Sequence, residues 1–571
     1  MTQPAASLSE PATTTSAAEA RDDRMPSGIP FIIANEFAER FCYYGINAIL
    51  TIYMTQFLRY GDADATTFHS LFKSGAYFFP LVGAVISDVF WGKYRTIMTF
   101  SLVYATGCAV VALVPGTTGL FIGLSMVAFG TGGIKPCVST NVGDQFTSKN
   151  QHLIERAFSF FYLAINAGSS ISIYLCPTIL DPADPDAPRW LADFFLHNGL
   201  TGPRVAFGMP AVMMFIATFA FWMGRKKFAV VPPAGKAWLR EVLSKEGLRL
   251  IGSLAIIYFF VACFWALWDQ ANGQTWTLQA KSSLMDKNLG FGIKLQAAQI
   301  QVVNGLFILA LVPVFTFGVF PLWGKFFKVT PLRKIAVGLF TIASSFLIVA
   351  RIEERIQAGE TVSVWWQILA YVVLTASEIL VSITALEFSY KQAPLRIKSF
   401  IMALFLLSTS VGNMMTAGVN SAMVRPLKAT SAEIGTETWV TLEDVGGFVS
   451  GQKIDFKGQT GAILVGADGN PIITDKKTNK PDTLQGTYLV AETDVPRKRV
   501  KLMNVVDRKP VATTGTFDAA KTSVSTYKLV GPQYFNFFAM MMAGVGVIFI
   551  FVAMFYKEKT HVRTEDDGEK A

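Results

Sequence analysis

The chain has 571 residues, of which 51% are hydrophobic, 13% aromatic and only 16% charged, where an ordinary soluble domain carries about 25% charged residues. That balance excludes a water-soluble globular protein and points to an integral membrane protein built of helices, because several nearly charge-free stretches have the length of roughly 20 residues that a helix needs to cross the bilayer. The net charge of +9 does not imply nucleic acid, since basic inner loops orient membrane proteins and suit anionic lipid heads.

In chain order, residues 1–28 are rich in Ala, Ser, Thr and Pro and read as a disordered cytoplasmic tail. Twelve spans follow, near 30–57, 66–91, 95–114, 117–143, 154–178 and 203–224, then 248–272, 299–324, 334–351, 363–390, 398–424 and 532–556. The first six form an N-terminal bundle over 29–224, residues 225–247 a cytoplasmic linker, and 248–424 helices 7–11 of a second bundle. An even span count puts both termini on one side. The cytoplasmic side is the one whose short loops hold Lys93, Arg95, Arg225, Lys226, Lys227, Arg333 and Lys334, against a sparser outer set such as Arg59, Arg189 and Lys281. Residues 425–531 break the helical pattern with short alternating runs and turn signals such as Asp468-Gly469-Asn470-Pro471. They are expected to form a small β-rich extracytoplasmic insertion before helix 12, with 557–571 a second cytoplasmic tail. Five cysteines stand singly in apolar stretches, with no pair at metal or redox spacing.

Three charges in the first span, Glu36, Glu39 and Arg40, share one helical face. A charge at the bilayer centre costs about 2.5–3.5 kcal/mol on insertion scales, so such residues face a wet cavity and pair. Within the spans, Glu36, Glu39, Asp269, Glu378 and Glu387 outnumber Arg40, Lys73 and Lys135. A surplus carboxylate takes up a proton for part of a cycle, because burial without a partner favours the neutral form.

The run Glu36-Phe-Ala-Glu39-Arg40-Phe-Cys-Tyr43-Tyr44-Gly45 resembles the E-x-x-E-R-F-x-Y-Y-G motif of the proton-coupled oligopeptide transporter family, within the major facilitator superfamily. The likeness extends to Phe129–Pro136, Phe161–Gly168, Phe264–Gln270 and Leu386–Pro394, and Gly83–Arg95 resembles the G-x4-D-x3-G-K-x-R loop signature of that superfamily. It implies an all-α major facilitator fold of twelve helices in two six-helix bundles. It further implies a symporter that imports di- and tripeptides with protons by alternating access, not an enzyme, driven by the proton gradient without a cofactor. By the same resemblance it sits in the plasma (inner) membrane, among lipids, and functions as a monomer.

By that resemblance Glu387 receives the peptide amine, helped by Asn166 and Asn304, while Lys135 faces the carboxylate with Tyr43 and Tyr44 nearby. Tyr77, Tyr162 and Trp265 line side-chain pockets. Protons load at Glu36, Glu39 or Asp269 beside Arg40, and Lys135 and Glu387 attract each other once the site empties. Where many relatives carry an arginine, this chain has Asn47. Lys73, about 6 Å outward of Tyr77 at 1.5 Å per residue, either replaces it by closing an outer gate with Asp269 or snorkels toward the outer surface. Lys391, one turn past Glu387, and Phe405 are further departures, Glu378 is left unassigned, and His69 is given no proton role. A carrier of nitrate or another small anion on the same scaffold is the nearest alternative, opposed by the full motif together with Glu387. A receptor that binds through its outer insertion is the alternative of another class.

Overall fold

The computed structural model describes residues 24–556 apart from 148, 230–231, 234, 236–239, 241, 291, 394–397, 467 and 476–479. Most of the expected N-terminal tail, the C-terminal tail and part of the linker therefore lie outside the described residues. The long helices are α1 (Ile29–Ile52, continued by a π-helical turn Tyr53–Phe57), α2 (Asp62–Val85), α3 (Lys93–Leu113), α4 (Gly116–Asp144), α5 (Ile154–Leu180) and α6 (Pro203–Met223). After the linker come α7 (Lys245–Ala271), α8 (Val302–Pro313, extended by turns to Gly324), α9 (Pro331–Gln357), α10 (Val364–Glu378, then a π turn Ile379–Ile383 and Thr384–Gln392), α11 (Lys398–Met423) and α12 (Pro532–Phe555). Among the described residues, eleven of these are long and apolar enough to cross a membrane. The remaining one is α1, which carries the three charges.

Two apolar cores account for the two bundles. One gathers Ile46, Leu50, Tyr104, Val127 and Phe207 from α1, α3, α4 and α6, and the other Phe264, Phe346, Tyr371 and Phe538 from α7, α9, α10 and α12. Small residues let the helices of the first bundle meet closely. A methyl at Gly132 would fall 2.2 Å from the Phe79 Cβ, and one at Gly133 would fall 2.1 Å from the Phe100 ring. The Gly-Thr-Gly-Gly run of α4 thus exists to bring the backbone that carries Lys135 against α2 and α3.

Between α11 and α12 the chain leaves the bundle as seven antiparallel strands: β1 (Val424–Leu427), β2 (Ala429–Glu433), β3 (Trp439–Leu442), β4 (Lys453–Gly458), β5 (Gly486–Asp494), β6 (Arg499–Asn504) and β7 (Thr522–Tyr527), in the spatial order β1-β7-β4-β5-β6-β3-β2. Alternate residues such as Val440, Leu442, Val500 and Leu502 face a third apolar core with Ile454 and Phe456. Period-two patterning makes this segment a folded β unit.

Candidate functional site between the two bundles

On α1 the expected cluster is assembled. Arg40 Nε lies 2.6 Å from Glu36 Oε1 and 3.1 Å from Glu39 Oε2, with both carboxylates buried. Thr131 of α4 donates to Glu39 Oε1 at 2.5 Å. Four residues on, the Lys135 ammonium sits 4.0 Å from the ring centroids of both Tyr43 and Tyr77. It is buried and has no hydrogen-bond acceptor among the described residues. Cation–π contact partly replaces its lost hydration. Tyr44, next on α1, packs edge-on against Tyr43.

The facing wall comes from α7, α8 and α10. Glu378 is held at Oε2 by the Asn304 amide and the Trp268 indole N–H, both at 3.1 Å, and Asn304 also donates to Thr375. No ion pair with a cation is present at Glu378 among the described residues. It lies within electrostatic reach of Tyr44 and Tyr162 in the other bundle. Trp265, also on this wall, is 9% exposed, stacks edge-on with Trp268, and leaves its indole N–H without a partner among the described residues.

Glu387 is not part of this wall, which corrects the sequence-based expectation. It is half exposed and ion-paired with Lys391, one turn further on, while Lys135 is enclosed by tyrosines. Nine residues of helix place Glu387 about 13 Å further along α10 than Glu378. The Lys135–Glu387 pair expected of the emptied transporter is absent here, and the carboxylate facing the Lys135 half across the interface is Glu378. Asn304 is beside that carboxylate, whereas Asn166 donates to the Tyr162 carbonyl of its own helix at 2.8 Å, and Tyr162 is exposed.

Towards the end that carries the β-rich insertion, the bundles are joined by polar contacts. Lys73 Nζ reaches Asp269 Oδ1 at 2.9 Å and also donates to the carbonyls of Asp269 and Asn272. Asn413 of α11 holds the other Asp269 oxygen at 2.6 Å. Asn47, at the position of the absent arginine, accepts at Oδ1 from His69 Nε2 at 2.7 Å and donates to the Asn272 carbonyl, while Thr51 contacts His69 Nδ1 and donates to the Gly273 carbonyl. Ser74 meets Ser410, Thr66 meets Asn420, and Gln299 and Gln296 of the loop before α8 bond to α5. Sequence reasoning missed Trp268, Asn413 and Thr131, and it gave His69 no proton role without foreseeing its contacts with Asn47 and Thr51. The Glu36–Arg40 stripe and the Lys73–Asp269 pair announced themselves by spacing.

A sequence model of the POT family matches residues 94–245 and 236–440. The human protein solute carrier family 15 member 2 is 36% identical over 375 residues, 58% of this chain and 49% of that protein. The chain thus spans about half the length of the curated relatives it matches. Among solved structures, the POT family transporter PepTSo is 32% identical, with TM-score 0.62 over 70% of this chain and 90% of that one. An auto-inhibited POT family peptide transporter is 26% identical, with TM-score 0.65 over 94% of this chain and 99% of that one. With a matched family model over more than half its length, this chain belongs to the POT family, the proton dependent oligopeptide transporters.

Proposed function

We infer that the protein is a proton-coupled symporter of di- and tripeptides working by alternating access. One observation carries the reading: half-buried Lys135, whose enclosed ammonium meets no acceptor among the described residues, stands on one bundle, and half-buried Glu378, with no ion-pair partner among them, stands on the other. A short peptide is a zwitterion whose two termini satisfy those two groups at once. Lys135, with Tyr43 and Tyr77 around it, receives the carboxylate. Glu378, oriented by Asn304 and Trp268, receives the amine. Tyr44, Tyr162, Asn166 and Trp265 border the space for side chains.

The charge inventory supports proton coupling. Glu36 and Glu39 face Arg40 and Lys135, and Asp269 faces Lys73, so Glu378 is the surplus carboxylate and binds a proton or an amine in turn. Protons also load at the Glu36–Glu39–Arg40 cluster, or at Asp269, where neutralisation releases Lys73 and frees the outer gate. A proton moving down 100 mV supplies about 2.3 kcal/mol. The protein works as a monomer in the plasma membrane, with both termini in the cytoplasm. A nitrate carrier gains nothing from a carboxylate at Glu378, which disfavours that alternative. In proteoliposomes, acidic outside, radiolabelled dialanine accumulates above its outside concentration; Lys135→Ala abolishes this. Equal accumulation with and without the gradient would exclude proton coupling.

A further inference from the structure

The β-rich insertion is continuous with α11 and α12, and it is also tied to the rest of the second bundle. The Ser283 N–H donates to the Val506 carbonyl at 2.9 Å, and Arg508 donates to the Ile356 carbonyl of α9 at 2.6 Å. Its other face rests on the first bundle. There it meets the outer end of α2, the helix that carries His69, Lys73 and Ser74 of the outer gate.

The first N–H groups of any helix lack partners within it and need a cap. The residue preceding α2 is Gly61, which has no side chain to serve. The insertion supplies the cap in its place. The Asp62 N–H donates to the Thr487 hydroxyl and the Ala63 N–H to the Tyr527 hydroxyl, each at 2.8 Å. Both hydroxyls then donate to one carboxylate, Asp455 of β4, at 2.6 Å. Lys453 adds an ion pair with Asp62 at 2.5 Å. The fit depends on Gly61, where a methyl would lie 2.5 Å from Asp455 Oδ2. Arg59, with φ of 56°, turns to pair with Asp482 of the insertion.

We propose that the insertion is a strap across the outer gate, and that Thr487, Tyr527 and Asp455 are positioning residues that hold α2 closed against the second bundle. Resting on the alternating-access reading, the inference adds a structural consequence. The two bundles cannot separate on the outside while the insertion, anchored in the second, caps a helix of the first. Each outward opening breaks the two capping bonds and re-forms them on closing. The insertion thereby sets the population of the outward-open state without touching the peptide.

The test reads gate opening directly. Ser410, 1% exposed and bonded to Ser74 inside the gate, is replaced by cysteine in the full-length protein in proteoliposomes. Its rate of alkylation by a membrane-impermeant maleimide is measured from outside, against the background of the five native cysteines, all of them buried. Thr487→Val and Tyr527→Phe each accelerate alkylation about threefold and together about tenfold, as expected for the loss of one and then two capping bonds. Gly61→Ala, which pushes Asp455 away, accelerates it as well, whereas Thr487→Ser keeps the parental rate. Rates unchanged in the double variant and in Gly61→Ala, or raised as much by Thr487→Ser as by Thr487→Val, would overturn the proposal. No peptide enters this measurement, so a failure of dipeptide uptake leaves it standing, and its own failure leaves the uptake reading untouched.

Discussion

Glu378 and Glu387 stand nine residues apart on α10, and spacing alone favours neither as a binding group. The residues around them decide. Glu387 is followed one turn later by Lys391, with which it pairs in a half-exposed position, and exposed i, i+4 pairs contribute only about 0.3–0.5 kcal/mol. Glu378 has an indole and an amide aimed at it. A π turn, Ile379–Ile383, lies between the two and shifts the facing of everything after it, which no periodicity count reveals. Glu378→Gln is therefore expected to lower the dialanine uptake rate roughly 30-fold or more, the scale of truncating one partner of a buried charge contact. Glu387→Gln is expected to change it less than about twofold, given the small worth of an exposed pair. The Lys73–Asp269 pair, by contrast, follows from the sequence through helical rise and a missing arginine. Lys73→Met and Asp269→Asn each leave one buried charge unpaired, a cost of about 3–5 kcal/mol to the closed gate, and are expected to stop gradient-driven uptake. The exchange Lys73→Asp with Asp269→Lys recovers only part of it, because Lys73 also donates to two carbonyls that an aspartate would repel.

At the level of elements, the twelve helices were legible because apolar runs of spanning length have few other physical readings. The close packing of α4 was written in its glycines, although which helices they meet was not. Gly133→Ala is expected to destabilise the first bundle by about 1–3 kcal/mol, the usual cost of overpacking, since the Phe100 ring it strikes is itself buried. A lowered melting temperature in detergent would register this. The insertion was legible as β-rich from its alternation, and its contact with α2 was not, because that contact joins residues 425 and 464 positions apart in the chain. Its buried joint also carries a pH signature. Burial, and then the nearby Asp62 carboxylate, push Asp455 from 3.8 up to about 7, against the opposing pull of Thr487, Tyr527 and Lys453. The folded insertion thus holds a proton that the unfolded chain releases near pH 4, so this group's contribution to stability is fully present below about pH 4. It is lost as pH rises towards 7, and is constant above that. Thermal unfolding followed from pH 5 to pH 8 should show a fall of several degrees that Asp455→Asn reduces; an equal slope in both proteins would remove Asp455 as its source.

For the whole molecule, two bundles with separate cores can move as bodies, and what distinguishes one state from the other is the set of contacts between them. Among the described residues, those contacts, from Lys73–Asp269 to Ser74–Ser410 and Gln299–Tyr174, cluster at the end that carries the β-rich insertion. A ligand drives the change only by binding one arrangement more tightly than the other, and a zwitterion spanning Lys135 and Glu378 does so because the two groups belong to different bundles. The central claim is that this divided pair of charges reads both ends of one peptide. It is tested most directly by equilibrium binding of dialanine and of its N-acetyl and C-amide derivatives to purified protein, with Lys135→Ala and Glu378→Gln alongside. The account predicts that blocking the amine weakens binding to the unaltered protein but matters little once Glu378 is neutral, and that blocking the carboxylate matters little once Lys135 is gone. Equal losses for both derivatives in all three proteins would contradict it.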